Sequence, residues 1–205
     1  MVDTVKMDAD ESFLYIDVQL KREIDHKNEK LYIGLDTFDR SRGETRFSPD
    51  IAAKTLSGME FEVEFNSADT ARLLTVPSYN TAAGKYSPAA SADGVFESII
   101  RLTNSERITP NGKINALYQD ESRLTFGAFE NNDHNNWYTS DNVLHIRLPW
   151  TRLNFTDPSQ MRVLDDKTDN ASPEPDTLST AVSEGVIPCA LVYDKKSGVA
   201  SGTVS

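Results

Sequence analysis

Residues 59–65 read MEFEVEF, and the alternation is strict: Met59, Phe61, Val63 and Phe65 fall on one register, Glu60, Glu62 and Glu64 on the other. A strand turns successive side chains to opposite faces, so this segment presents one apolar side, whereas helical geometry would scatter the glutamates around the axis. The glutamates are expected on a solvated outer strand face, or on an edge guarded by like charges.

The same period recurs. Leu14, Ile16, Val18 and Leu20 alternate with Phe13, Tyr15, Asp17 and Gln19, and Leu31, Ile33 and Leu35 alternate with Tyr32, Gly34 and Asp36. Further strands are expected within 72–76, 96–102, 124–129, 143–148, 161–164, 186–193 and 199–204. Turn chemistry joins them, most plainly the Pro-Asn-Gly turn in 109–113. No amphipathic helix of ten or more residues stands out, and only 150–160 suits one or two helical turns. Hairpin links and short connections imply antiparallel pairing, because parallel strands need long crossovers. The expected fold is all-β: an antiparallel β-sandwich, immunoglobulin-like or jelly-roll, of nine or ten strands, with 1–205 as a single domain. Residues 165–185, rich in Asp, Ser, Thr and Pro, read as a long mobile loop, and 78–94 as a second long loop.

With 205 residues, the chain can build a core without staples. Cys189, the one cysteine, sits in VIPCALVY and reads as a small core residue. A net charge of −11 repels phosphate backbones and anionic lipid, so nucleic acid is not expected as a partner. No apolar run is long enough for a membrane helix, and MVDTVKMDADES lacks the pattern of a signal peptide, as would the start of a domain cut from a longer protein.

His26, His134 and His145 share no metal-ligand spacing, and no cofactor is expected. The oxygen-rich stretches at 8–11, 36–39 and 165–169 lack the spacing of a calcium loop and read first as solvated turns. There is no nucleophile elbow. Glycoside hydrolysis needs only two carboxylates, but Glu60, Glu62 and Glu64 follow E-x-E-x-E where one jelly-roll glycosidase family has E-x-D-x-x-E.

The remaining signal is ENNDHNNWYTSDN at 130–142. Sugar rings stack on flat aromatic faces, and their hydroxyls pair with amides, carboxylates and guanidinium groups. Candidate ligand-binding residues are Trp137, Tyr138, Asn135, Asn136 and His134, joined by Tyr79 and Arg101. On extended backbone Trp137 and Tyr138 face opposite ways, one toward a ligand and one toward the core. The same residues also suit a plain anchored hairpin connection, with Trp137 packed over the sheet edge, which is the commoner role of such a residue.

The order of DESFLYIDVQL (10–20), KLYIGLDTFD (30–39), GMEFEVEF (58–65) and NVLHIRLPWTRLNF (142–155) resembles the family 9 carbohydrate-binding modules and the wider DOMON-like β-sandwiches. It is also similar to bacterial domains appended to larger proteins. The resemblance implies a two-sheet sandwich binding a sugar or another small ligand through aromatic and polar residues, in an extracellular or cell-surface setting, with the cytoplasm as the other reading. Some DOMON-like domains bind haem, but Met59 and Met161 read as core strand residues. The expectation is a noncatalytic module for carbohydrate attached to a larger protein. The alternatives are a structural domain contacting its neighbours and a glycosidase-like enzyme.

Overall fold

Two antiparallel sheets face each other across one apolar core in the structure, a computed structural model that describes residues 1–48, 51–81, 96–165 and 179–203. The smaller sheet runs in the order β1 (Val2–Ala9), β2 (Phe13–Leu20), β15 (Val143–Pro149), β14 (Trp137–Ser140). The larger has the path β13 (Arg123–Leu124), β7 (Ala71–Thr75), β6 (Phe61–Phe65), β3 (Glu29–Asp36), β19 (Ile187–Asp194), β20 (Ala200–Thr203), with β8 (Glu97–Ser98) also on β7. Leu14, Ile16, Val18, Leu144, Ile146 and Leu148 meet Leu31, Ile33, Leu35, Phe61, Val63, Phe65 and Leu73 between them. The all-β antiparallel class expected from the alternation is therefore the fold.

Smaller pieces complete it: a hairpin of β4 (Glu44–Arg46) and β5 (Lys54–Met59), and a three-stranded sheet of β16 (Phe155–Asp157), β17 (Arg162–Leu164) and β18 (Thr180–Val182). Two ribbons follow each other between β8 and β13. One pairs β9 (Ile100–Asn104) with β12 (Leu117–Asp120), and the other pairs β10 (Arg107–Thr109) with β11 (Gly112–Ile114). Twenty strands among the described residues exceed the nine or ten expected, because many are two to four residues long, too short to show a period. The segment 124–129 is not a continuous strand: pairing stops at Leu124, and Phe126 makes a lone bridge to Trp137. The Pro-Asn-Gly turn closes β10 onto β11, and short 3-10 turns occupy Trp150–Leu153 and Pro158–Gln160. Cys189 is buried. No helix among the described residues is long and apolar enough to cross a membrane. The expectations for 165–185 and 78–94 fall, over 166–178 and 82–94, outside the described residues.

Glu60 and Glu62 do not lie on the solvated outer face expected of them. β6 lies inside the larger sheet, between β3 and β7. Glu64 is half-buried, and Glu60 and Glu62 are buried. The outer face of this sheet is covered by residues that leave β3 and return through the β4–β5 hairpin, placing Phe47, Ile51 and Met59 over Tyr32, Cys189 and Leu191. A Cβ at Gly34, directly opposite Glu62, would overlap the Met59 sulfur, so the cover lies on the sheet backbone itself. The bend at Glu60 also moves Met59 off the register of Phe61, Val63 and Phe65 and into this second cluster.

Candidate functional site

Residues 130–136 lead into β14 from the short 3-10 turn at Phe129–Asn131, and their asparagines hold the connection in place. Asn136 accepts the Thr125 N–H through its side chain (3.0 Å) and donates its own N–H to the Thr125 carbonyl (2.7 Å). The Asn135 amide donates to the Ala128 carbonyl (2.7 Å) and lies where a Cβ of Gly127, at φ +146°, would stand. Buried Arg147 donates from Nε to the Asn135 carbonyl (2.7 Å) and from Nη2 to the Asn132 carbonyl (2.8 Å). Both amides are thereby committed to backbone, so Asn135 and Asn136 anchor the loop and are not free to meet a ligand. His134 is exposed.

Trp137 is 1% exposed, with its ring edge-on to Phe65 (5.0 Å between centroids) and Phe126 (4.8 Å). The proposed stacking role for Trp137 is therefore corrected: the indole has no open face, and it packs the edge of the sandwich. Tyr79 is buried too, stacked on Phe38 at 5.7 Å. Exposed Arg101 is clamped by both oxygens of Glu121 (2.7 and 3.1 Å). Tyr79 and Arg101 do meet, with Asn80, Arg152 and Asn154, around a cavity of about 20 Å³ whose lining includes nothing from 130–142. That volume suits one water and no sugar ring.

Tyr138, facing the other way, lies on the outer surface of the smaller sheet. Register places side chains there in rows: Lys6, Asp17, His145 and Tyr138 across all four strands, and next to them Asp8, Tyr15 and Arg147. The Tyr138 ring stacks on His145 (4.6 Å, 23°) and meets Phe129 edge-on (4.9 Å); Phe129 meets Tyr15 (6.4 Å), and Tyr15 meets Phe13 (6.1 Å). The Arg147 guanidinium sits between Phe13 (5.0 Å) and Phe129 (4.6 Å). All five rings are half-exposed. From Phe13 to Gln19 the outward face of β2 spans about 20 Å at strand rise, with the rings Phe13 and Tyr15 on its first part and Asp17 and Gln19 beyond them.

Polar groups border the rings. Asp17 Oδ1 lies 2.8 Å from His145 Nδ1, and with Thr4, Lys6, Gln19 and Val143 these two line a depression of about 120 Å³. The Tyr15 hydroxyl donates to Asp10 (2.7 Å); that bond, with the Ser12 and Phe13 N–H groups, holds the Asp10 carboxyl below its ordinary range. Burial raises the Tyr138 phenol. At the end of the strip Asp141 and Asn142, both left-handed (φ 49° and 61°), make the two-residue turn between β14 and β15, of the kind that matches strand twist. The turn borders a cavity of about 280 Å³, walled by Glu23, His26, Thr139 and Ser140 over Leu20 and Ile24. Burial lowers the His26 pKa, favouring a neutral imidazole.

The other concentration of carboxyl groups is closed off. Glu60 accepts the N–H groups of Thr37 (2.7 Å) and Phe38 (3.2 Å), and Asp36 has an ion pair to Arg40 at 3.9 Å. Burial raises Asp36 and lifts Glu60 and Glu62 well above the carboxylate range. None of the three lines any of the cavities described above.

Of the sequence candidates, only Tyr138 joins the aromatic strip. Phe13, Tyr15, Phe129, His145 and Arg147 were missed as site residues, although the signal was there for four of them: aromatic and cationic side chains on the outward register of β2 and β15. No protein-family model, curated protein or solved structure matches this chain.

Proposed function

We propose that this chain is a noncatalytic carbohydrate-binding module that holds an oligosaccharide along the outer face of its smaller sheet. The observation that carries this reading is the row of half-exposed rings, Phe13, Tyr15, Phe129, Tyr138 and His145, on a rigid antiparallel scaffold. Ring faces offer stacking to sugar C–H surfaces, while Asp17, Gln19 and Lys6 supply acceptors and donors beside them. The length of this face of β2, rings followed by Asp17 and Gln19, suits an extended chain of sugars better than a single one. In this reading the module tethers a larger protein to a glycan at the cell surface or outside the cell, as the resemblance to family 9 and DOMON-like sandwiches implies.

A glycan array followed by titration calorimetry tests it. Saturable binding is expected, weakened about tenfold or more by Tyr138→Ala, the cost of one lost stacking contact of roughly 1.4 kcal/mol. Trp137→Phe, which keeps the core filled, is expected to bind as the parent does. Binding to no glycan by a folded chain, or binding indifferent to Tyr138→Ala and Tyr15→Ala together, would defeat the proposal.

A further inference from the structure

The outer side of the larger sheet has a small core of its own. Tyr32, Cys189 and Leu191 from the sheet and Phe47, Ile51 and Met59 from the cover form a cluster separate from the one between the sheets. The β4–β5 hairpin pairs only with itself, so among the described residues no ladder ties it to β3 or β19. A unit with its own core and no shared ladder opens at lower cost than the whole fold.

Pairing sets Cys189, Gly34 and Glu62 side by side on this outer face. At the middle position the Met59 sulfur and the Phe47 ring fill the space that a Cβ of Gly34 would take, so the cover rests between the thiol and the carboxyl. Glu62 is 2% exposed, and its Oε2 has no hydrogen-bond partner. The charged groups around it are committed elsewhere. Lys30 gives its Nζ to Glu64 (2.7 Å), a second carboxyl beside Glu62. Arg72, across from Glu64, donates to Ser98 (2.7 Å) and Asp120 (3.3 Å), and the Tyr32 phenol is pushed up to about 12 by burial and stays neutral. On the cover Arg42 pairs with Asp39 (3.6 Å), Arg40 pairs with Asp36 (3.9 Å) beside buried Glu60, Glu44 accepts the Thr45 and Arg46 N–H groups, and Arg46 lies opposite Lys54. Glu62 is therefore accommodated as a neutral acid, and a charge at its position is compensated only when water reaches it.

We propose that ionisation of Glu62 lifts the β4–β5 cover off the larger sheet while the sandwich stays closed, which bares Cys189 to solvent. The device works in one direction: the cover is shut in acid and opens as pH rises.

The chain carries a probe for each core. Cys189, its one cysteine, lies in the outer cluster, and Trp137 and Trp150, its two tryptophans, lie in the inner one. Thiol labelling of the full chain, taken at each pH as a ratio to the Glu62→Gln chain, cancels the ionisation of the thiol itself and reads the opening. Between about pH 6 and pH 9 that ratio is expected to climb by up to about tenfold per pH unit, with tryptophan fluorescence unchanged. Phe47→Ala, which thins the cover, is expected to raise labelling about tenfold or more at any one pH, again with the tryptophan signal of the parent. A ratio that is flat across the range overturns the proposal. So does labelling that rises only where the tryptophan signal is lost, since the whole fold would then be opening. Phe47→Ala labelling no faster than the parent also overturns it, because something other than the cover would be shielding the thiol.

Discussion

The two outer faces of the sandwich invert what their sequences suggest. On β2 the outward register carries Phe13 and Tyr15, rings left partly exposed; on β6 it carries Glu62 and Glu64, of which Glu62 is buried, opposite the Gly34 that Met59 and Phe47 cover. Both strands alternate in the same way, and both have a proper inner face in the core. What differs is whether another segment of the chain returns to cover the outside. Rings without a cover are free to meet a partner, and carboxyls under one become a stability liability that depends on pH.

The largest effect should come from one step along the chain within β14. Trp137→Ala removes a buried indole and is expected to cost about 3–5 kcal/mol, readable as a strong fall in melting temperature. Tyr138→Ala, on the open face, should cost about 1 kcal/mol or less in stability while carrying the loss of glycan binding. If calorimetry finds the two variants equally destabilised, the contrast between an anchored inner ring and an available outer ring collapses.

Alternation made the fold class legible because a residue's side of a strand depends only on parity, and the cores of β2, β3, β6 and β15 obey it. Parity does not say what lies beyond the outer side. The cover over β6 comes from residues 37–59, whose strands are short and whose apolar residues Phe47, Ile51 and Met59 have no period. Gly34, inside an otherwise bulky strand, was the local hint that backbone or side chain approaches closely there. The site was less legible than the fold. Trp137 is the conspicuous residue of a polar loop, whereas the aromatic strip brings Phe129, β14 and β15 together with β2, which lies far from them in sequence.

Glu62→Gln should sharpen the comparison from the covered side. Burial, with the nearby Glu64 charge, lifts the folded pKa of Glu62 above its unfolded value, so the native state holds a proton that the unfolded chain releases. Its stabilising contribution is full below the unfolded pKa and is lost as pH rises toward the folded one. Glutamine keeps the shape and neither gains nor loses the proton. At pH 4 the variant should match the parent, and at pH 7 it should melt higher by about 3–5 °C for each pH unit of the window. On the acid side the opposite sign applies to Glu29, held low by Arg22 at 2.6 Å: its stabilisation is present above the unfolded pKa and fades as pH falls through the folded one. The parent should therefore be most stable in mild acid, and a parent whose stability instead rises from pH 5 to pH 8 would contradict the buried, protonated state of Glu62.

Glu64→Gln should have the smallest effect and the opposite sign, though it lies on the same strand, face and residue type two positions away. Glu64 is only half-buried and accepts from Lys30 Nζ at 2.7 Å, so its charge is compensated where that of Glu62 is not. Removing it should cost about 1 kcal/mol or less at neutral pH. The two sites also feel each other, since the Glu64 charge is one of the causes holding the Glu62 proton in place. With Glu64 neutral, Glu62 should ionise at lower pH, and the gain from Glu62→Gln should shrink in the Glu64→Gln background. Chemical denaturation of the four proteins at pH 7 measures that coupling. Strict additivity would mean that the carboxyls are screened from each other, and that the cover over β6 admits more water than its packing implies.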